Sequence, residues 1–188
     1  GVPWRRGMAQ RVLITGMSGS GKSSVIHELA RRGFEAVDTD DDGWSEWVES
    51  PGIPGVAPAG PDWVWREDRT ARLLAASRTG PLFVAGCRSN QGRFRDRFEH
   101  VVLLTAPLDV LLDRVARRTG NPYGHALGER SEIAAYRETV EPLLQRSATL
   151  MLDTSGLSVP EVVERLLELV GAAPGQARST TRPVRADS

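Results

Sequence analysis

Residues 12–23 read Val-Leu-Ile-Thr-Gly-Met-Ser-Gly-Ser-Gly-Lys-Ser, and the part from Gly16 to Ser23 matches the pattern G-x-x-x-x-G-K-[ST] in full. An apolar run precedes this loop, and apolar residues recur at helical spacing after it, from about Lys22 to Arg32. Glycines let the backbone curl so that amide hydrogens point at phosphate oxygens, and a helix N-terminus adds positive potential there. The stretch therefore predicts a strand, a phosphate-binding loop and a helix.

The side chains of this loop predict which groups it binds. The ammonium of Lys22 is expected to bridge the β- and γ-phosphates of ATP, and the hydroxyl of Ser23 is expected to bind Mg²⁺. ATP and Mg²⁺ are therefore the predicted cofactors. The residues predicted to bind the nucleotide along the loop are Gly16, Ser18, Gly19, Ser20, Gly21, Lys22, Ser23 and Ser24.

The composition is that of an ordinary soluble domain. The chain has 188 residues, of which 40% are hydrophobic, and a formal net charge of +0. This charge provides no overall field that would attract nucleic acid or an anionic membrane, so we expect neither as a partner. No apolar run approaches the ~20 residues of a membrane span, and no signal peptide is visible. A single cysteine, Cys87, is typical of a reducing compartment, so we expect a cytoplasmic protein.

Short apolar segments alternate with helical ones along the chain. The predicted strands lie at about 12–14, 34–37, 82–85, 101–104 and 149–152. The predicted helices lie at about 22–32, 64–77, 108–118, 129–145 and 158–170, with a Pro- and Gly-rich loop at 50–61. This order predicts an α/β fold of three layers, with a five-stranded parallel sheet covered by helices on both faces. We expect one domain over 11–170, an extension at 1–10 and a flexible tail at 171–188.

An acidic cluster follows the second predicted strand. It reads Asp38-Thr39-Asp40-Asp41-Asp42, and ligands of parallel sheets bind at the carboxyl ends of the strands. One carboxylate there can support Mg²⁺, and a neighbour can accept the proton of a substrate hydroxyl. Asp38 is thus a candidate metal ligand with Ser23, and Asp38 and Asp40 are candidate catalytic residues with Lys22. The alternative is a solvated turn in which Asp41 or Asp42 caps the next helix.

The phosphate loop followed by Asp38-x-Asp40 resembles shikimate kinase and its nucleoside monophosphate kinase-like relatives, over about residues 11–170. The resemblance implies the P-loop fold of these kinases. It also implies that Asp38 organises Mg²⁺ and that Asp40 contacts the acceptor hydroxyl. Thr154 and Ser155 fall where the family places its adenine-facing loop, so the resemblance implies that they bind the nucleotide.

The resemblance also implies residues that bind the acceptor. Trp65 and Arg66 look like the Phe-Arg pair with which the family grips an acidic group. Gly86 ends the third strand where the family has a glycine-rich acceptor loop, and Arg137 lies where the family has an acceptor-side arginine. The chain departs from the family directly after Gly86, because Cys-Arg-Ser-Asn replaces the expected glycines. Arg88 is nearest the sheet edge and is the best acceptor contact among the arginines that follow.

Four tryptophans cluster in the segment about 39–80, where such kinases bind the acceptor. Trp44, Trp47, Trp63 and Trp65 could stack on a ring, or they could form a small aromatic core. Trp44 and Trp65 are the candidates that we take as substrate contacts.

Three arginines approach a turn at 120–124, within the segment about 117–135 that resembles the family's lid. A mobile arginine that closes over the phosphates would stabilise developing charge and exclude water. Arg114 and Arg118 are candidates for nucleotide binding, and Arg117 is a candidate catalytic residue.

These residues predict an ATP-dependent kinase that moves the γ-phosphoryl group to a small hydroxylated acceptor, acidic or ring-bearing. A nucleoside monophosphate is an alternative acceptor, which Arg66 and Arg88 would then hold by its phosphate. A second alternative is a nucleotide-binding switch or regulatory ATPase without a small-molecule acceptor. The expected partners are the nucleotide and the acceptor, and the expected state is a monomer or homodimer.

Overall fold

A computed structural model of the chain describes residues 10–17, 19–55, 58–119 and 126–172, with the side chains of 118, 119, 126–130 and 132 left aside. The extension at 1–9, the lid turn at 120–124 and the tail from 173 lie outside these residues. In chain order the elements are β1 (Arg11–Gly16), α1 (Lys22–Arg31), β2 (Glu35–Asp38), β3 (Ser45–Ser50), β4 (Gly60–Trp65), α2 (Glu67–Ala75), β5 (Leu82–Ala85), a 3-10 helix (Gln91–Arg97), β6 (His100–Thr105), α3 (Leu108–Thr119), α4 (Ala126–Thr139), α5 (Glu141–Ser147), β7 (Leu150–Asp153) and α6 (Val159–Leu169).

The predicted five-stranded parallel sheet is confirmed. Its strand order is β2-β5-β1-β6-β7, and every neighbouring pair is parallel. The chain order reverses at β1, whose neighbours β5 and β6 lie on opposite sides of it. The phosphate loop leaves β1 at this reversal, the position where open α/β sheets bind their ligands.

Both faces of the sheet are buried, which explains why its strands are continuous apolar runs. Val12 and Ile14 face a core formed with α1 and α6, whereas Leu13 faces a second core that includes Trp65 and Phe94. Successive strand residues point to opposite faces, so β1 contributes to both cores. This arrangement gives the three layers expected from the sequence.

Residues 45–65 correct the sequence prediction. They form an antiparallel hairpin of β3 and β4, in which Trp47 pairs with Trp63, instead of a loop that leads into a helix at Val64. The aromatic and β-branched residues Trp63-Val64-Trp65 favour a strand, and this preference outweighs the helical spacing. Helix α2 begins at Glu67, where two acidic residues in its first turn suit the helix N-terminus.

The helices near the C-terminus agree more closely with the sequence. The helix predicted at 129–145 is divided into α4 and α5, and Pro142 lies in the first turn of α5. Helix α6 begins with a capping box, in which the Ser158 hydroxyl accepts from the Glu161 amide at 3.3 Å. Within the described residues, no helix has both the length and the apolar character needed to cross a membrane.

Candidate active site

The phosphate loop connects β1 to α1 at the centre of the sheet. Gly16 has φ 141°, and a Cβ there would collide with the carbonyl oxygen of Leu104 on β6. Only glycine allows the loop to turn this close to the neighbouring strand. The loop then passes through Gly19 and Gly21, both at positive φ, into the first turn of α1. Ser18 lies outside the described residues.

Lys22 lies in the first turn of α1 and reaches back across the loop. Its Nζ donates hydrogen bonds to the carbonyl oxygens of Gly16 at 2.5 Å and Met17 at 2.9 Å. Burial has the largest influence on this group and lowers the pKa of Lys22, while the nearby Cys87, Asp40 and Asp38 act in the opposite direction. The loop therefore holds the single ammonium of the chain beside the acidic end of β2.

The structure brings together Ser23, in the first turn of α1, and Asp38, at the end of β2. The Ser23 hydroxyl donates to Asp38 Oδ2 at 2.9 Å, and Asp38 Oδ1 accepts from the Asp40 amide at 3.0 Å. Asp38 is buried, with 7% of its surface exposed. Mg²⁺ prefers hard oxygen ligands and is held in such sites by one or two protein oxygens together with phosphate. A hydroxyl and a carboxylate in contact beside the phosphate loop fit this requirement.

Asp40 faces the same region and is held by Arg88. Arg88 Nη2 donates to Asp40 Oδ1 at 2.8 Å, and its Nη1 donates to the Cys87 carbonyl at 3.0 Å. Arg88 Nε also lies 3.4 Å from Ser45 Oγ at the start of β3. About half of the Asp40 side chain, 51%, is exposed. Arg88 thus links the ends of β2 and β5 to the hairpin and orients one carboxylate oxygen of Asp40.

A cleft of about 450 Å³ contains most of the predicted nucleotide contacts. This volume is within the usual range for a small-molecule site. Its lining combines polar groups, among them the phosphate loop and Asp40, with four apolar side chains. A nucleotide needs both kinds of surface, because it carries charged phosphates and an apolar base face. The lining residues are Gly19, Ser20, Gly21, Lys22, Ser23, Ser24, Val25, Asp40, Arg114, Thr154, Leu157, Val159 and Val162.

Arg114 and Thr154 connect the wall of the cleft to the phosphate loop. Arg114 Nη1 donates to the Gly19 carbonyl at 3.1 Å and to Thr154 Oγ1 at 2.9 Å, and its Nη2 donates to the Thr154 carbonyl at 2.9 Å. The Thr154 hydroxyl donates to the Ser20 carbonyl at 2.9 Å. Ser155 is exposed and bonds to Asp153 instead of lining the cleft.

Trp65 does not lie where the sequence prediction requires it. Its side chain has 0% exposed surface, and its Nε1 donates to Thr39 Oγ1 at 3.0 Å. Thr39 in turn donates to the Ala85 carbonyl at 2.7 Å. This burial contradicts the prediction that Trp65 contacts the acceptor, because a side chain without accessible surface offers no atom to a ligand. Trp65 belongs to the core beneath the site.

Gly86 packs against the same buried indole. It is buried, and a Cβ at this position would collide with Thr39 Oγ1 and lie 3.2 Å from two atoms of the Trp65 indole. The indole occupies the space that a side chain at position 86 would need. Position 86, directly after β5, is therefore glycine because the Trp65 side chain needs the space. The resemblance implied a different reason, a glycine-rich acceptor loop.

The remaining acceptor candidates lie on different elements. Trp44 is half-buried beneath the Arg69 guanidinium, whose central carbon is 3.9 Å from the ring centroid. Arg66 is exposed at the start of α2. Arg137 pairs with Glu141 at 3.4 Å across one turn.

The candidate catalytic arginine, Arg117, forms an ion pair within its own helix. Arg117 pairs with Asp113 at 3.1 Å on the outer side of α3, and 80% of its side chain is exposed. The side chain of Arg118 lies outside the described residues. Of the two candidates whose side chains are described, Arg114 is the one that reaches the phosphate loop.

One contact near the site had no signal in the sequence. Cys87 Sγ lies 3.2 Å from the Tyr136 hydroxyl, so α4 reaches the end of β5. Burial is the largest cause that raises the pKa of Tyr136, and the contact with Cys87 raises it further. The two residues are 49 positions apart, and neither belongs to a motif.

Comparisons with known proteins agree with this description. Residues 12–137 match the model of the AAA domain family. A nucleotide-binding protein of Deinococcus radiodurans is 31% identical over 166 residues, which make up 84% of this chain and 52% of that protein. The chain spans about half the length of the curated relatives that it matches, between 41% and 53%.

Solved structures show the same fold at lower identity. Shikimate kinase from Acinetobacter baumannii, in complex with shikimate, has a TM-score of 0.57 at 18% identity and covers 87% of this chain and 94% of its own. A gluconokinase from Sinorhizobium meliloti 1021 has a TM-score of 0.52 at 23% identity and covers 88% of this chain and 96% of its own. The likeness establishes a fold shared with these kinases.

The fold and the site define a P-loop domain of the nucleotide-binding class, with a kinase-like fold. The parallel sheet reverses its chain order at β1, and the glycine loop at that reversal leads into Lys22 and Ser23. Within this class the chain belongs to the AAA domain family.

Proposed function

We propose that this domain binds ATP with Mg²⁺ and transfers the γ-phosphoryl group to a small hydroxylated acceptor. The observation that carries the proposal is that Lys22, Ser23 and Asp40 line one cleft and that Asp38 bonds to Ser23 at its edge. These groups come from the first turn of α1 and from the end of β2. A metal-supporting pair and a second, half-exposed carboxylate on the same side of a phosphate loop are the groups that phosphoryl transfer needs.

In this proposal each residue has a distinct task. The loop amides and Lys22 hold the phosphates, and Ser23 and Asp38 supply the protein oxygens for Mg²⁺, which neutralises charge on the phosphates when it is bound. Asp40 accepts the proton of the acceptor hydroxyl. The acceptor oxygen then bonds to the γ-phosphorus, the bond from that phosphorus to the bridging oxygen breaks, and ADP leaves. Arg88 fixes Asp40 Oδ1, and Oδ2 has no hydrogen bond within the described residues.

The test measures ADP release with ATP, Mg²⁺ and a panel of small hydroxylated metabolites. We expect acceptor-stimulated release that falls at least ~100-fold in Asp40→Asn, since a positioned general base contributes that much or more. Asp42→Asn is the matched control, because Asp42 is exposed on the same turn and should retain activity. Lys22→Ala should remove turnover while the protein stays folded. Full acceptor-dependent activity in Asp40→Asn would contradict the role of Asp40.

A nucleotide-dependent switch without a small-molecule acceptor is the second candidate. Two observations favour it: the matched relatives are about twice as long, and the one from Deinococcus radiodurans bears only the name of a nucleotide-binding protein. ADP release that no member of the panel stimulates, with intact nucleotide binding, would support this candidate over the kinase. The nucleoside monophosphate alternative has less support, because Arg88, which would hold the phosphate of that acceptor, is paired with Asp40.

A further inference from the structure

The segment that forms the hairpin has an unusual composition. Residues 39–65 contain six carboxylates and no lysine or arginine, although the whole chain has 24 basic residues. Four of the five tryptophans of the chain also lie here. The carboxylates are Asp40, Asp41, Asp42, Glu46, Glu49 and Asp62. An acidic segment rich in indole rings is suited to ligands that carry positive charge.

Two of these tryptophans form an exposed pair on the hairpin. Trp47 and Trp63 are directly opposite each other on β3 and β4, with ring centroids 5.1 Å apart. Their exposed fractions are 68% and 40%. Large aromatic side chains are mostly buried in proteins, so an exposed pair of indoles is a feature that folding alone does not explain. We refer to Trp47, Trp63 and Glu49 as the tryptophan face.

The tryptophan face continues directly from the candidate active site. Side chains alternate along a strand, so Trp47 and Glu49 share a face with Ser45, and Trp63 shares it with Trp65. Ser45 Oγ is 3.4 Å from Arg88 Nε, and Arg88 bonds to Asp40. Trp47 is two residues further along β3, a step of about 7 Å. A small molecule on the tryptophan face could therefore extend a hydroxyl toward Asp40.

One carboxylate of the hairpin, the exposed Glu49, lies on this face, whereas Glu46 and Asp62 lie on the opposite face. Among the described residues, no ion pair involves Glu46, Glu49 or Asp62. Of the neighbouring cations, Arg88 is paired with Asp40, and Arg69 lies over the Trp44 ring. Arg66 is exposed at the base of the hairpin, where α2 begins. On the tryptophan face an anionic acceptor would meet repulsion from Glu49, whereas an ammonium would gain from this carboxylate and from the ring faces.

We propose that the tryptophan face binds the acceptor, and that this acceptor is a hydroxylated ring bearing a protonated amine. This inference rests on the proposed kinase function and specifies its substrate class. It differs from the acidic acceptor that Trp65 and Arg66 suggested, because Trp65 is buried and the exposed indoles share their face with Glu49. The ring stacks on Trp47 or Trp63, and the ammonium lies toward Glu49.

The test measures equilibrium binding to the full chain without nucleotide, so that turnover plays no part. Three probes with related rings differ in charge: 2-deoxystreptamine is cationic, myo-inositol is neutral and quinate is anionic. We expect 2-deoxystreptamine to bind about threefold to fivefold more tightly than myo-inositol, because this is the gain from a cation on an exposed aromatic site. Quinate should bind most weakly. Added salt should weaken the binding of 2-deoxystreptamine alone.

Variants assign the effect to the tryptophan face. Trp47→Ala and Glu49→Gln should each weaken 2-deoxystreptamine binding roughly threefold to fivefold. Val48→Ala is the control on the opposite face of the same strand, and its affinity should equal that of the wild type. Equal binding of the three probes, or unchanged affinity in Trp47→Ala, would overturn the inference. Self-association that Trp47→Ala abolishes would also overturn it, because a second copy would then cover the face.

The two proposals can fail separately. Phosphoryl transfer to quinate but not to amine-bearing rings would uphold the kinase and reject the inference about charge. The opposite result is selective, Trp47-dependent binding of 2-deoxystreptamine in a protein whose ADP release no acceptor stimulates. That result would count against the kinase function and would leave the recognition of amines intact.

Discussion

Gly86→Ala tests how tightly the floor of the site is packed. The new Cβ would collide with Thr39 Oγ1 and lie 3.2 Å from the indole of Trp65. Neither neighbour can move cheaply. The Thr39 hydroxyl holds the Ala85 carbonyl at 2.7 Å and the indole N–H at 3.0 Å, and Trp65 is completely buried.

The expected cost follows from these contacts. Overpacking a core by one methyl group costs about 1–3 kcal/mol, and breaking a buried hydrogen bond costs about 1–3 kcal/mol. We therefore expect Gly86→Ala to lower the free energy of unfolding by about 3 kcal/mol, and to lower Tm by roughly 6–12 °C in a domain of this size. The measurement is urea unfolding followed by far-UV circular dichroism.

Two further variants make this prediction specific. Gly80→Ala is the control, because a Cβ there has no neighbour within 4 Å, and we expect a change of at most about 0.5 kcal/mol. Thr39→Ala removes the oxygen that clashes with the new Cβ. The loss of unfolding free energy in the double variant Thr39→Ala, Gly86→Ala should therefore be smaller than the sum of the two single losses by at least about 1 kcal/mol. An additive cycle, or a wild-type Tm for Gly86→Ala, would refute the packing argument.

Two other predictions concern acid stability and nucleotide affinity. Burial would raise the pKa of Glu99, but its hydrogen bonds from Arg11 outweigh burial and lower it below the ordinary value of 4.5. The stabilisation is therefore complete above pH 4.5 and is lost as the pH falls through the folded-state pKa. The difference in unfolding free energy between wild type and Glu99→Gln should shrink below pH 4.5, and a difference that stays constant down to pH 3 would contradict this. Arg114→Lys should weaken the binding of a fluorescent ATP analogue by about tenfold, because a lysine cannot replace the three hydrogen bonds to Gly19 and Thr154. An unchanged dissociation constant would show that these bonds do not organise the cleft.

The sequence was most informative where the chemistry lies in consecutive residues. The glycine loop with Lys22, and the capping box of α6, are local patterns whose structure depends on neighbours within a few positions. The five strands of the sheet could also be predicted, because a strand buried on both faces must be a continuous apolar run. The Ser23–Asp38 pair followed from the expectation that strand ends meet at one edge of the sheet.

The hairpin could not be predicted in the same way. Its strands contain Pro, Gly and carboxylates, and the spacing of Trp65 with the residues after it also fits a helix. Strand pairing between β3 and β4 decides between the two, and this pairing depends on residues that are 10 to 20 positions apart. Local preference is weak against such contacts.

The amino-acid sequence by itself determined the P-loop class and the parallel sheet, and it supplied the residues that we propose to hold phosphate and metal. The tertiary structure decided which tryptophans are buried and which are exposed, that Arg88 pairs with Asp40, and that Gly86 makes room for an indole. The physical reason is that burial and ion pairing depend on groups from distant parts of the chain. A periodic pattern specifies which face of a strand or helix is apolar, but not which side chain it will meet.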